Sequence, residues 1–311
     1  MKNQKIQKVL ENGMKCIENG DIKRAQEYYL EGIGIDPDNP SIVNNLAFIY
    51  NILGESEIAN EYHKKEVKIC DKLLKNEKNL ELVLLKGNSL IALEEFNKAE
   101  ETFDELLKLD PENRYGLHQK ASLLYLKKDY EESLKYLDKQ LSIDSNDNIA
   151  LFNKSSLLYM LDEYDKSIEN LDKLLEMNPH DERSLYLKGE ILKLNENPNE
   201  LTEFIDESLK NNPDNAHILM LKAVDCWNSQ NDEKAFEFFD KALEINPLID
   251  EIWFNKGMFL MAKGHMDESI ECFEKAFELN PESGGIAQKE DFFEILQIAK
   301  KYNLFKKHAE S

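Results

Sequence analysis

Arginine is nearly missing from this chain of 311 residues: only Arg24, Arg114 and Arg183 occur, against a formal net charge of -22. Phosphate recognition needs clustered cations, so the composition argues against nucleic acid as a partner. Cysteine is scarce too. Cys16, Cys70, Cys226 and Cys272 lie far apart with no CxxC pair, which suits reduced thiols in a cytoplasmic protein rather than a disulfide framework or a zinc site. No run of 18 apolar residues occurs, so no membrane-spanning helix is expected. The start, Met1 to Lys15, carries lysines but no continuous apolar core of a secretory signal. The six histidines (His63, His118, His180, His217, His265, His308) are scattered, and HExxH, GxSxG, phosphate-loop and dinucleotide motifs are all missing. These absences argue against an enzyme, a cofactor and a metal. The acid excess itself implies solubility, or a field that attracts basic partners.

Proline is also rare, and its placement is the first positive signal. Six of the eight prolines share one slot of a 34-residue period. Pro179, Pro213, Pro247 and Pro281 are 34 apart; Pro111 lies 68 before Pro179, with Ser145 at the skipped place; Pro37 lies 74 before Pro111, two periods plus six residues. A fixed period of this length implies stacked repeats. Alignment on the prolines predicts an array over 1–283 of eight units: 6–39, 40–79, 80–113, 114–147, 148–181, 182–215, 216–249 and 250–283. Apolar residues recur at i, i+3, i+4 and i+7 in both halves of each unit, which is helical periodicity. Short polar breaks separate the halves, clearest at Gly20-Asp21, Gly54-Glu55, Lys128-Asp129, Asp162-Glu163 and Gly264-His265.

Two further slots explain why the helices pair. One in the first helix reads Gly13, Ala47, Gly87, Ala121, Ser155, Gly189, Ala223, Gly257; twelve residues later the second helix reads Ala25, Ala59, Ala99, Ser133, Ser167, Leu201, Ala235, Ser269. Small residues at facing positions let antiparallel helices approach closely while larger neighbours fill the space between. Two units depart from the pattern. The second has Asp71 in place of proline and six extra residues, Leu74 to Asn79, which predicts a lengthened second helix. The sixth has Asn195-Glu196-Asn197-Pro198-Asn199 at its turn and Leu201 at the small slot, which predicts looser packing. A third departure is the late small slot of the second helix, where Glu66, Leu106, Gln140 and Leu174 stand in place of alanine.

The last unit carries Trp253, Lys256, Gly257, Leu260, Ser269, Phe273 and Pro281; the third carries Val83, Lys86, Gly87, Leu90, Ala99, Phe103 and Pro111. This pattern resembles the tetratricopeptide repeat family, whose signature runs W-x2-L-G-x2-Y, then A-x3-F, then P. The resemblance covers about residues 6 to 283. It implies an all-α right-handed superhelix (solenoid) of about eight helix-turn-helix units, with the first helices lining a concave groove that holds an extended peptide or a partner's helix. Enzymes of the family carry their catalytic domains outside the repeats, and no stretch is left over for one here.

On that expectation the free stripe of each first helix supplies the candidate lining. The richest part is Tyr115, His118, Ser122, Tyr125, Phe152, Ser156, Tyr159, Arg183, Tyr186, Glu190 and Lys193, continued upstream by Asn44, Phe48, Asn51 and Asn88, and downstream by Met220, Trp227, Phe254 and Met258. Aromatic residues with polar tips suit partly wet binding surfaces; packing between adjacent repeats is the competing role. Family members that grip the tails of heat-shock chaperones place a lysine on the first helix. Here the corresponding places hold Leu10, Asn44, Leu84, His118, Phe152, Tyr186, Met220 and Phe254. No three successive units rebuild that clamp, which argues against Hsp70 or Hsp90 tail binding.

A lysine ladder runs through Lys86, Lys120, Lys154, Lys188, Lys222 and Lys256. It could present cations to an anionic ligand, or lay its stems over the helix interface with the ammonium groups on nearby carboxylates; adjacency to the buried stripe favours the second. Beyond Ser283, Phe292, Ile295, Leu296, Ala299 and Tyr302 form one stripe, which predicts a capping helix over 286–308 that closes the open end. The function expected is a protein-binding scaffold without catalysis. The alternative is a structural protein that self-assembles into homo-oligomers through the array ends and the terminal helix.

Overall fold

A computed structural model describes residues 2–76, 78–194, 198–281 and 283, and among them finds sixteen helices and no strand. The first helices of the hairpins are α1 (Lys2–Glu18), α3 (Pro40–Ile52), α5 (Leu80–Ala92), α7 (Arg114–Leu126), α9 (Asn148–Met160), α11 (Glu182–Leu194), α13 (Ala216–Asn228) and α15 (Asp250–Ala262). The second helices are α2 (Ile22–Ile35), α4 (Ser56–Leu74), α6 (Phe96–Leu109), α8 (Tyr130–Ile143), α10 (Tyr164–Met177), α12 (Pro198–Asn211), α14 (Asp232–Ile245) and α16 (Met266–Leu279). The fold is thus all-α, with sixteen helices that alternate as the first and second helices of eight repeats. The chain divides between Leu157 and Leu158 into two compact halves. In the first half each helix from α1 to α8 packs on the next, and α3, α5 and α7 also touch in succession. In the second half α10 to α16 do the same, with α11, α13 and α15 in succession. The predicted capping helix over 286–308 and turn residues 195–197 lie outside the described residues.

One backbone device recurs at each described turn within a hairpin. Gly20, Gly54, Glu94, Lys128, Asp162, Gln230 and Gly264 share one repeat slot, and all have φ between 59° and 81°. The next residue returns its N–H to a carbonyl five residues back, as in Asp21 to Cys16 and His265 to Leu260. That is the glycine-type helix stop with its 6→1 hydrogen bond, so four non-glycine residues are held in the left-handed region by the turn around them. Between hairpins, the residue two beyond the proline slot caps the next helix, with the six extra residues intervening before Asn79. Asn39, Asn79, Asn113, Asp147, Asp181 and Asn215 each accept the N–H three residues on, at 2.9–3.2 Å. Only Ile249 caps without a side chain. Proline is dispensable: α8 ends at Ile143 before Ser145 just as α6 ends at Leu109 before Pro111.

Close approach within hairpins is visible at the small slots. A Cβ added to Gly13 would lie 2.4 Å from the Tyr29 ring, and one added to Gly87 would lie 2.3 Å from Phe103. Where serine fills the second-helix slot, its hydroxyl donates to the carbonyl of the facing small residue: Ser133 to Ala121 at 2.8 Å, Ser269 to Gly257 at 2.9 Å. The six extra residues lengthen α4 to 19 residues, against 14 for each other second helix. In the sixth hairpin only Ile205 and Ser208 of α12 are buried, and a Cβ on Gly189 would meet Leu221 of α13 first, at 2.2 Å. The looser pairing expected from Leu201 is present.

The lysine ladder proves to be a staple between repeats. Lys86, Lys120, Lys154, Lys188, Lys222 and Lys256 each place Nζ 2.5–2.8 Å from an aspartate on the preceding second helix: Asp71, Asp104, Asp138, Asp172, Asp206 and Asp240 in turn. Lys120 is the most buried, at 4% side-chain exposure, and Glu100 joins Asp104 at 3.1 Å. Burial works against its charge, but hydrogen bonds to the two carboxylates hold its pKa above the usual lysine value. The rungs therefore differ in worth. Lys120→Ala should cost about 2 kcal/mol, less than the ~3–5 of a fully buried pair because its partners reach water, whereas Lys154→Ala should cost under ~1 kcal/mol. Equal losses in urea denaturation of the two variants would refute this grading.

Candidate functional site

In the first half, the first helices α7 and α9 carry a cavity of about 350 Å³ between them, floored by α8. Its walls are Ala121, Ser122, Tyr125, Leu126, Ser133, Leu137, Asn153, Ser156 and Leu157. None is charged. Three of the residues selected from the sequence, Ser122, Tyr125 and Ser156, meet here. Tyr125 is 44% exposed and leans on Tyr130 at 5.8 Å. Phe152, on the adjoining turn of α9, is half-buried. Tyr115 projects from the first turn of α7 at 74% exposure. His118 is half-buried with an unpartnered Nδ1, and burial lowers its pKa against the pull of Asp147. Neutral imidazole is its form around pH 7.

In the second half, the Tyr186 ring of α11 lies tilted against that of His217 of α13, with centroids 4.9 Å apart. Burial, then Glu190 and Glu251, raise the Tyr186 phenol pKa; burial, then Asp250, raises that of the Glu251 carboxyl. Tyr159 leans on Tyr164 at 5.9 Å. Arg183 is exposed, and Lys193 pairs with Glu190 at 2.8 Å. Glu190, Glu251 and Asp250 thus place carboxylates around the Tyr186 phenol. The downstream residues serve the core instead: Met220 is 1% exposed, Trp227 sits edge-on to Phe259 and Phe254 edge-on to Phe273.

The upstream candidates part company. Phe48 is exposed at 48%. Asn44 turns inward and donates to Glu66 Oε2 at 3.2 Å, while Asn88 is half-buried with an unpartnered Oδ1. Asn44 belongs to a buried polar network that sequence reasoning missed. Ser89 Oγ donates to Glu66 Oε2 at 2.5 Å and lies 3.0 Å from His63 Nδ1, and the Asn51 amide is 3.4 Å from His63 Nε2. The serine proton points at the carboxyl, so His63 Nδ1 carries hydrogen and Nε2 accepts. The signal was available: His63, Glu66 and Ser89 each occupy a slot that other repeats give to Phe103, Leu106 and Leu123. Serine, histidine and carboxylate here do not form a nucleophilic triad. The carboxyl accepts the serine's hydrogen bond instead of orienting the imidazole, and Ser89 is fully buried. Two thiols are equally quiet, with burial pushing Cys70 up to about 12 and Cys272 to about 11.

Burial also pushes the Glu66 carboxyl up to about 7, against hydrogen bonds from Ser89 and Asn44 that lower it. The fold therefore holds this proton more tightly than the unfolded chain does. Its contribution is complete below about pH 4.5 and is lost as pH rises to about 7. His63, lowered by burial, acts oppositely, losing its contribution as pH falls below 6.5. Glu66→Gln should remove the first loss, on the order of 3 kcal/mol, and leave the second. Urea midpoints between pH 4.5 and 7.5 that fall in parallel for variant and wild type would contradict this.

Among the described residues no cluster of metal ligands occurs, and no helix is long and apolar enough to cross a membrane. The fold and its uncharged inter-helix cavity define an all-α helical-repeat protein. Tetratricopeptide repeat models match residues 13–39, 150–181, 216–247 and 250–283, and a further one matches 84–148. The chain belongs to the tetratricopeptide repeat family. Its fold is similar to that of a tetratricopeptide repeat protein from Parabacteroides merdae, at TM-score 0.54 and 18% identity, over 88% of this chain and 99% of that one. It is also similar to pilF of Pseudomonas aeruginosa, at TM-score 0.51 and 18% identity, over 71% and 98% of the two chains. No curated protein sequence matches the chain significantly.

Proposed function

We propose that this protein is a non-catalytic interaction scaffold that binds an extended peptide segment of a partner protein along its first-helix faces. The observation that carries this reading is the open, uncharged cavity between α7 and α9, walled by Tyr125 and the two serines. Binding sites are concave, mostly apolar and set with a few polar groups. In a chain that is 32% charged, a nine-residue lining without charge is a surface kept for contact. The stacked repeats supply the rigidity: a peptide laid across successive first helices meets side chains whose spacing is set by the hairpins behind them. The lysine ladder is excluded from this role, since each ammonium is already paired with an aspartate. The acidic charge favours partners with basic segments.

A pull-down with wild type and Tyr125→Ala/Phe152→Ala/Tyr159→Ala tests the reading. The folded triple variant should lose the captured partners at least tenfold, since buried aromatic anchors are each worth about 2 kcal/mol or more. Equal capture by the two would remove the aromatic groove from consideration.

A further inference from the structure

We propose that the cavity between α7 and α9 is an anchor pocket for one uncharged apolar side chain, of leucine to phenylalanine size, borne on a basic extended segment of a partner protein. The inference rests on the scaffold reading above and adds the chemistry of what is bound.

Comparison of the protein's own repeats shows how the pocket arises. Ser122 and Ser156 hold the same slot of consecutive first helices. In the other repeats that slot holds Met14, Phe48, Asn88, Glu190, Val224 and Met258, each larger than serine. Two small residues in a row leave open the space that a bulky side chain closes elsewhere, and the resulting volume is about 350 Å³. That is the lower end of the ~300–1,000 Å³ found for ligand pockets, suited to one large side chain and its adjoining backbone.

The polar atoms of the lining decide the class of occupant. The Ser156 hydroxyl already donates to the Phe152 carbonyl at 3.0 Å, and the Ser133 hydroxyl to the Ala121 carbonyl at 2.8 Å. Both are spent within the scaffold, which leaves the floor of Ala121, Leu137 and Leu157 effectively apolar. A charged side chain entering here would lose its hydration and find no counter-charge. An apolar one gains by leaving water. The Ser122 hydroxyl, the Asn153 amide and the Tyr125 phenol are the polar groups left to meet the peptide backbone beside the anchor. The flanking charge follows from the host: a protein of net charge -22 draws in a basic segment and repels an acidic one.

The test selects displayed random peptides on the full chain, then measures the selected peptides against three variants. Ser122→Met/Ser156→Met fills the pocket and Ser156→Glu charges it. Both import side-chain types that the same slot already carries in other repeats, and they act by different chemistry, so either decides the matter if the other loses its helical signal. The third is the aromatic triple variant. The expected pool shares one leucine, isoleucine, methionine or phenylalanine beside lysine or arginine, and both serine variants bind it at least tenfold more weakly. A pool that converges on charged anchors or acidic flanks, or on no consensus, overturns the proposal. Peptides lost by the aromatic variant but kept by the serine variants overturn the anchor and leave the scaffold reading standing. Peptides kept by all three overturn both.

Discussion

Close helix approach inside each hairpin is the constraint on which the rest of this structure depends. Tyr29 lies over Gly13 and Phe103 over Gly87 because no Cβ stands in the way. Where alanine or serine replaces glycine at the first-helix slot, the facing residue is small or donates a hydrogen bond back to the backbone, as Ser133 does. Each hairpin so formed still has apolar surface left over, which the next hairpin must cover. The left-handed residue at each turn and the asparagine or aspartate cap between hairpins hold these approaches in register. The sixth hairpin, where Leu201 intrudes, shows the converse: α12 buries little, and Gly189 is closed by α13 instead.

Many polar groups inside the array are paired with one another. Six lysines meet six aspartates across successive interfaces. Gln140 donates to Asp147 at 2.9 Å, and Asp147 in turn takes Arg114 at 2.6 Å. The second and third repeats go furthest, giving three core slots to His63, Glu66 and Ser89, whose mutual hydrogen bonds offset much of what burial costs them. One carboxyl oxygen of Glu66 stays unpartnered, and a carboxyl in that position keeps its proton to near neutral pH. These commitments bear on function by subtraction. With the lysines paired and Asn44 turned inward, what remains on the first helices is aromatic and neutral around α7 and α9, and acidic around Tyr186.

Much of the fold was legible because its causes are local and repeated. Proline spacing, helical periodicity and the paired small slots place each hairpin, and Leu74 to Asn79 announce the long α4. The capping slot was equally readable, since Asn39, Asn113 and Asn215 all stand two residues after a proline. The candidate site was less legible. Surface stripes name residues by direction only. Met220 and Phe254 share a stripe with Tyr115 and His118, yet the core takes the first two because their neighbours are bulky and leave no gap. Asn153 was missed because its place beside the cavity depends on the emptiness at Ser122 and Ser156, a property of two helices together.

The sequence by itself determined the repeat, the helix boundaries and the identity of the facing small residues, since hydrogen-bonded turns, caps and steric contact over one period are short-range physics. Only the tertiary structure decided which lysine met which aspartate, that Asn44 served a buried carboxyl, and that two serines 34 residues apart opened one cavity. Those outcomes depend on distances between side chains of neighbouring repeats. A period gives the order of the repeats, and packing sets how near their side chains come.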